Sequence, residues 1–268
     1  MLVLSFANQE SIYLDNLIQS FKKYNYKYQI IGKGTEWKNF ITKIKHCQAY
    51  LEKMEYNDIV VVTDAFDVIA CNSSDRLERK FRRFNKGLVF GCENICLDNC
   101  IPPTNYFRLN KKGVYNYANG GFYMGYRDNL VHLYKYVLKT KLTDDQVAIG
   151  KYINKYPTKV ALDTQGELVS NIQINSYNHT IWKNNRVYNK VTKKYPCFIH
   201  TPSMFFDLGY RMDYFGYKVL KKEYQTICFT NKIEKLTILS KNHLGLTLNI
   251  IIGILVGIII LILLINYV

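Results

Sequence analysis

Asp58-Ile59-Val60-Val61-Val62-Thr63-Asp64-Ala65-Phe66-Asp67-Val68 is the stretch on which the reading of the fold turns. Ile59–Thr63 is an unbroken β-branched run without polar alternation, which marks a strand buried on both faces, as in a parallel sheet covered by helices. The run leads straight into two carboxylates, Asp64 and Asp67, three residues apart. At a strand end the chain turns, and that spacing can bring both carboxylates to one point. Two converging carboxylates repel each other unless a cation sits between them, and hard divalent ions such as Mn²⁺ or Mg²⁺ suit oxygen ligands. The competing structural reading makes Asp64 a turn cap and leaves Asp67 solvated.

Working outward, strand and helix patterns alternate. Leu2–Ala7 reads as a strand, Ser11–Tyr24 as a helix, Tyr28–Ile31 as a strand and Phe40–Met54 as a helix. Ser74–Phe84 is helical and Leu88–Gly91 returns to strand. This βαβαβ order predicts a parallel sheet with helices on both faces, where ligands bind beyond the carboxyl ends of the strands.

The C-terminus breaks the pattern. Residues 244–268 contain no charged side chain, and Ile250–Ile265 is almost wholly Ile, Leu, Val and Gly. About 20 such residues span a bilayer core, so the expected organisation is a globular domain over 1–230, a basic linker over 231–243 and a transmembrane helix over 244–268. Gly253 and Gly257 have the spacing that packs two such helices as a homodimer. The N-terminus lacks the basic region of a signal peptide. Lys232, Lys235 and Lys241 precede the span. These features predict a single-pass, C-terminally anchored membrane protein with its domain on the cytosolic side. The sequons Asn72-Ser73-Ser74 and Asn178-His179-Thr180 point the other way, and such sequons recur by chance in an Asn-rich chain.

The formal net charge is +15, which raises the question of nucleic acid. The excess is carried by 28 Lys against 8 Arg, spread among Asn, Ile and Tyr. Arg is the residue suited to reading phosphates and bases, and no basic nucleic-acid motif is present, so nucleic acid is not the expected partner. Seven Cys form no disulfide-like framework, which reads as reduced thiols in a reducing compartment. Cys92, Cys96 and Cys100 lack the close pairs and the fourth ligand of a zinc site.

Three further segments carry candidate chemistry. Thr143-Asp144-Asp145-Gln146 has capping-box spacing, and it also fixes two carboxylates at a helix start. Asn119-Gly120-Gly121 reads as a loop before a strand, where paired Gly allow close approach of a ligand to the backbone. His200 ends a short apolar strand, where a buried, hydrogen-bonded role competes with ligation.

Taken in order, these segments resemble the glycosyltransferase domain of the procollagen lysyl hydroxylase family and its viral relatives, over about residues 2–217. The matching pieces are Val3-Leu4-Ser5-Phe6-Ala7-Asn8, Gly32-Lys33-Gly34-Thr35-Glu36-Trp37, Asp64-Ala65-Phe66-Asp67-Val68-Ile69, Asn119 to Gly125, Asp144-Asp145-Gln146 and Leu162-Asp163. The resemblance implies an α/β GT-A fold that transfers a hexose from a UDP-sugar, with Mn²⁺ or Mg²⁺, to a protein or glycan hydroxyl, of hydroxylysine type in the family. It implies Asp64, Asp67 and His200 as metal ligands. Phe6, Asn8, Lys43 (or Lys45), Phe66, Asn119, Gly120 and Gly121 fall on the nucleotide-sugar side, and Asp144 and Asp145 face sugar and acceptor as catalytic groups. The chain departs from the family at Thr201-Pro202-Ser203, where the family has Gly-Asn-Gly, and at Leu97, where it has Trp. The poly-Asp run is also shortened to two, and a degenerate, membrane-tethered binding module is the alternative expectation.

Overall fold

The computed structural model describes residues 1–96, 101–172, 179–184 and 186–202. The expected span over 244–268, its linker, Gly253, Gly257, Ser203, Leu97, Cys100 and Asn178 lie outside the described residues. Among the described residues no helix is long and apolar enough to cross a membrane.

Alternate residues of β3 (Ile59–Asp64) feed two separate cores. Val60 and Val62 pack on one face of the sheet with Ile44, Cys47, Leu133, Tyr134, Ile149 and Tyr152. Ile59 and Val61 pack on the other with Leu17, Phe21, Leu77 and Phe81. The first group of partners comes from α2 (Phe40–Glu52), α5 (Arg127–Lys139) and α6 (Asp145–Lys155); the second comes from α1 (Ile12–Lys23) and α3 (Ser74–Arg83). A strand covered on both sides needs no polar face, which is why the β-branched run is continuous. The helices start where side chains satisfy their free N–H groups: Ser11 caps α1, and Asn39 with Thr42 forms a capping box on α2.

The central sheet has six strands in the order β2 (Tyr28–Ile31), β1 (Leu2–Phe6), β3, β6 (Tyr117–Tyr126), β5 (Leu88–Glu93), β7 (Val160–Asp163). Strands β1, β2 and β3 are parallel, as are β5 and β7. The fully parallel sheet expected from the sequence is corrected by β6, which runs antiparallel between β3 and β5. The chain leaves β5 at its carboxyl end, forms the short helix α4 (Thr104–Leu109), and enters β6 at that same end, opposite Glu93 and Cys92. No crossover helix is then needed, and the strand must run backward. Asn119-Gly120-Gly121 therefore lies inside β6 rather than in a loop, beside a register shift between Phe90 and Cys92.

A smaller sheet, in the order β4 (Val68–Ala70), β11 (Phe198–His200), β8 (Val169–Asn171), packs on the second core. Phe122 of β6 meets Phe198 of β11 with ring centroids 4.9 Å apart, which locks the small sheet to the central one. Strands β9 (Thr180–Lys183) and β10 (Arg186–Asn189) form an antiparallel pair. Cys47, Cys71, Cys92 and Cys197 are free and buried. Cys96 is disulfide-bonded, which corrects the expectation of reduced thiols throughout. Asn72, only 5% exposed, is a buried residue rather than an accessible sequon.

The turn from β7 to β8 hangs on Asp163. Its Oδ1 accepts from the Glu167 N–H at 2.7 Å, and its Oδ2 accepts from Leu168 and Val169 at 2.7 and 3.2 Å. Burial outweighs these N–H groups and pushes its carboxyl up to about 6. Asp163→Ala orphans two buried donors and one half-buried one and is expected to cost ~2–4 kcal/mol in urea unfolding, with m unchanged. A carboxyl whose folded pKa is raised contributes stability at acid pH that is lost as pH rises through about 6. Between pH 4 and 6 the slope of stability against pH is therefore expected to be more negative in wild type than in Asp163→Asn.

Candidate active site at the carboxyl ends of β1, β3 and β5

Asp64 is the last residue of β3, and Asp67 immediately precedes β4. The register of the small sheet brings His200 to the same place: it pairs with Val68 on one side and Asn171 on the other. Ligand-type atoms of Asp64, Asp67 and His200 all lie within 4.8 Å of one another. His200 Nε2 is 3.4 Å from Asp67 Oδ2 and 4.0 Å from Asp64 Oδ2. The imidazole is 2% exposed. Its Nδ1 meets Asn171 Oδ1 at 2.8 Å, and Asn171 Nδ2 donates to the Cys92 carbonyl at 2.9 Å. The carbonyl fixes the amide orientation, so Oδ1 faces the ring and Nδ1 carries the hydrogen. In the neutral ring Nε2 therefore keeps its lone pair; it is buried, makes no hydrogen bond and faces Asp67 Oδ2 at 3.4 Å. That is the arrangement a ligating histidine needs.

The electrostatics favour a cation. Burial lowers the His200 pKa, but Asp67, Asp64 and Glu93 outweigh it and hold the imidazole above its ordinary value. Positive charge, as a proton or a metal ion, is therefore favoured at that corner. Gly121 makes room for it: a Cβ there would lie 2.2 Å from His200 Cε1, 2.6 Å from Nε2 and 2.8 Å from Asp64 Oδ2. Thr201 closes the loop from outside, its N–H donating to the Asp67 carbonyl at 2.9 Å. The Thr201-Pro202 departure from the family thus leaves Asp67 held. Donor set, orphaned nitrogen and cleared space all fit a divalent ion.

Lys43, on α2, is 3% exposed. Its Nζ lies 2.9 Å from Asp64 Oδ1, 2.9 Å from Asp145 Oδ2 and 3.1 Å from the Gly120 carbonyl. Burial alone would depress the ammonium; Asp145 and Asp64 outweigh it and keep the pKa well above the usual lysine range. Burial raises the Asp145 carboxyl, with Lys43 opposing that rise. Lys43 is thus an internal counter-ion between two candidate site carboxylates, a role its sequence position did not announce. Lys45, the alternative choice, is exposed.

Asp144 and Asp145 divide their roles. Asp144 is the N-cap of α6 and accepts from the Val147 N–H at 3.0 Å. The expected Thr143–Gln146 capping box is therefore corrected. Gln146 instead accepts from the Gly120 N–H at 3.1 Å and donates to Glu93 Oε1 at 3.1 Å. Asn119 donates to Glu93 Oε2 at 3.1 Å and accepts from the Gly121 N–H at 2.7 Å. Glu93, 3% exposed, thus braces Asn119 and Gln146, while Gln146 holds Gly120 and Asn119 holds Gly121.

Phe6 ends β1, in register with Asp64. It packs on Trp37 at 5.8 Å and His46 at 5.3 Å, and Gly32 is cleared for its ring. Trp37, 43% exposed, meets the exposed Phe40 edge-on, leaving an aromatic shelf open to solvent. Asn8 is half-buried, its carbonyl bound by the Gly34 N–H at 3.0 Å. Phe66 is half-buried against the second core, in the turn between the two metal-type carboxylates. Glu93, Gln146 and Asn171 were not singled out as site residues from the sequence. Gln146 stood inside a quoted motif and Glu93 beside Cys92, whereas Asn171 lies 29 residues before His200 and is joined to it through strand pairing.

Residues 1–223 match the family model of the PLOD GT domain. The chain is 29% identical over 205 residues to a protein of Acanthamoeba polyphaga mimivirus, covering 71% of this chain and 44% of that protein. It is 29% identical over 138 residues to procollagen-lysine,2-oxoglutarate 5-dioxygenase 2 of Homo sapiens, covering 47% of this chain and 18% of that protein. The multifunctional procollagen lysine hydroxylase and glycosyltransferase of Caenorhabditis elegans is 24% identical over 192 residues, 66% of this chain and 24% of that protein. The match thus spans less than half the length of each of these relatives. A crystal structure of a glycosyltransferase involved in the glycosylation of the major capsid of PBCV-1 superposes with TM-score 0.51 at 12% identity, over 80% of this chain and 98% of that one. That likeness shows the fold, in keeping with the GT-A expectation. Family match and architecture agree, and the chain belongs to the PLOD GT domain family of glycosyltransferase domains, related to the collagen glycosyltransferases.

Proposed function

We propose that the protein is a divalent-cation-dependent transferase that moves a hexose from a UDP-sugar to an acceptor hydroxyl on a protein or glycan. The observation that carries this reading is His200 Nε2, a buried nitrogen without a hydrogen bond, 3.4 Å from Asp67 Oδ2 and 4.0 Å from Asp64 Oδ2. Asp64, Asp67 and His200 would hold Mn²⁺ or Mg²⁺, which when bound supplies Lewis-acid neutralisation of the charge on a departing diphosphate. Phe6 and Trp37 would form the aromatic surroundings for the base, with Asn8 nearby in the chain, while Phe66 stands in the turn between Asp64 and Asp67. Asn119 and Gly120 line the floor next to the metal corner. Asp145 is the group placed to orient a sugar or acceptor hydroxyl, while Lys43 holds its charge and that of Asp64 in place. Asp144 supports this arrangement by starting α6.

Calorimetry of UDP with Mn²⁺ and with chelator, followed by a UDP-release assay over a panel of UDP-sugars, tests the reading. Cation-dependent UDP binding without release from any donor would favour the binding-module alternative, which the altered residues after His200 support. No UDP binding in either condition would reject both.

Asp67→Ala is expected to abolish Mn²⁺-dependent UDP binding, and His200→Ala to weaken it less, because neutral imidazole adds no net charge against the cation. Unchanged Mn²⁺ titrations in both variants would remove these residues from the metal site. Gly121→Ala replaces no ligand, yet its methyl cannot fit beside His200 and Asp64; about tenfold or greater loss of Mn²⁺ affinity is expected. Wild-type affinity in that variant would mean the ion sits elsewhere.

Asp145→Asn keeps the side chain's shape but strips Lys43 of one counter-charge. Turnover is expected to fall by about 10²-fold or more, with Mn²⁺ and UDP binding retained. The contrary result is normal kcat with only a lowered melting temperature, which would make Asp145 a purely structural partner of Lys43.

A further inference from the structure

A cavity of about 260 Å³ opens away from the site just described, lined by Arg76, Lys80, Arg83, Arg186, Lys193 and Lys194. Strand register sets its distance from the metal corner. Strand β11 runs from Phe198, opposite Ala70, to His200, opposite Val68. Tyr195 and Asn72, both in the cavity wall, lie beyond the far ends of β11 and β4 from His200 and Asp67.

The charges in this wall are only partly spent. Lys80 donates to the carbonyls of Glu167 and Tyr195 and so ties two segments together. Glu167, the acid in the wall, is shared by Arg83 at 3.1 Å and Lys194 at 2.9 Å. Among the described residues Arg76, Arg186 and Lys193 make no ion pair with a carboxylate. Arg186 is held over the Tyr195 ring at 4.3 Å, which orients its guanidinium without neutralising it. Asn72 Nδ2, buried in the same wall, donates to nothing. A buried donor without an acceptor costs free energy that an oxyanion can recover.

The lysine-rich composition does not account for the cluster. Arg supplies 8 of the chain's 36 cationic side chains but three of the six around this cavity. The guanidinium is the side chain whose planar fork matches phosphate oxygens. We propose that this cavity is a second binding site, independent of the transferase centre, for a multivalent phosphate ester or polyphosphate, with Arg76, Arg186 and Lys193 as its free cations. Its small volume suits a compact anionic head rather than a whole nucleotide or a sugar chain.

The test is calorimetry on the full chain in neutral detergent micelles, with chelator present so that the metal corner cannot contribute. The probes are inorganic tripolyphosphate and, in a second arm, inositol trisphosphate as a soluble lipid headgroup. The variant Arg76→Gln/Arg186→Gln/Lys193→Gln is compared with Lys22→Gln/Lys111→Gln/Lys151→Gln, which removes the same net charge elsewhere. Wild type and control are expected to bind with equal affinity, and the cavity variant at least about tenfold more weakly, with melting temperature unchanged. Stronger binding of the headgroup than of tripolyphosphate assigns the site to a lipid, and the reverse to a free phosphate. Equal weakening in both variants, or no binding of either probe by wild type, overturns the proposal. Cavity-dependent binding of single-stranded DNA that tripolyphosphate fails to displace overturns it too. Loss of UDP binding in the Asp67→Ala protein would leave this result untouched, so the two readings fail separately.

Discussion

A buried carboxylate is unstable unless something positive or hydrogen-bonding faces it. The end of this sheet gathers four carboxylates, Asp67, Asp145 and Glu93 buried and Asp64 half-buried, against one buried ammonium, Lys43. The rest of the site arranges itself around that imbalance. Lys43 neutralises the side shared by Asp64 and Asp145. Amides hold Glu93. The corner between Asp64, Asp67 and His200 is left with surplus negative charge and a free imidazole nitrogen. A lysine bound on two sides cannot swing to serve both corners, so the division between the Lys43 side and the metal side is fixed by the fold.

The antiparallel β6 makes this gathering possible. Had the strand entered from the opposite end, its first residues would lie far from the carboxyl ends of β3 and β5. Entering where it does, it lays Asn119, Gly120 and Gly121 across the floor of the site. Gly120 and Gly121, in the buried interior of this strand, sacrifice packing, and the gain is clearance: His200 and Asp64 approach the backbone of Gly121, and Asp145 that of Gly120. Phe122, the next residue, points to the second core and meets Phe198. One strand thus provides the floor of the site and anchors the sheet that delivers His200.

What could be read from the sequence follows the range of the forces involved. The β-branched run, the helix starts at Ser11 and Asn39 and the strand-end carboxylates are local, and their elements match to within one or two residues. Motif order grouped Asp64, Asp67 and His200 in the sequence, and the fold brings the three side chains together, with Phe6 in register with Asp64. The misread parts depend on distant partners. The direction of β6 is set by where the chain re-enters the sheet, which no periodicity encodes. Gln146 was read as a cap because its spacing from Thr143 allows one; Glu93 and Gly120, 53 and 26 residues before it, draw it away. Lys43 sits on a helix whose pattern gives no sign that its ammonium enters the core. Asn171 meets His200 only because β8 and β11 are parallel neighbours.

The charge distribution also orders the events at the proposed transferase centre. The chain as a whole carries +15, so its far field draws in an anion such as UDP. At close range the same anion meets four carboxylates against one ammonium, and its own charge opposes entry. A cation held by Asp64, Asp67 and His200 removes that opposition, whereas UDP arriving first meets it in full. Cation before nucleotide is therefore the expected order, with UDP affinity rising with Mn²⁺ concentration. Mn²⁺ binding should be measurable without UDP, while UDP binding in chelator should be weaker by at least about tenfold, the equivalent of ~1.4 kcal/mol. Equal UDP affinity with and without the cation would mean that the phosphates never approach this corner. Raising salt cannot substitute for the cation, because screening acts on the exposed lysines and hardly reaches Asp67 or Asp145, which are almost fully buried.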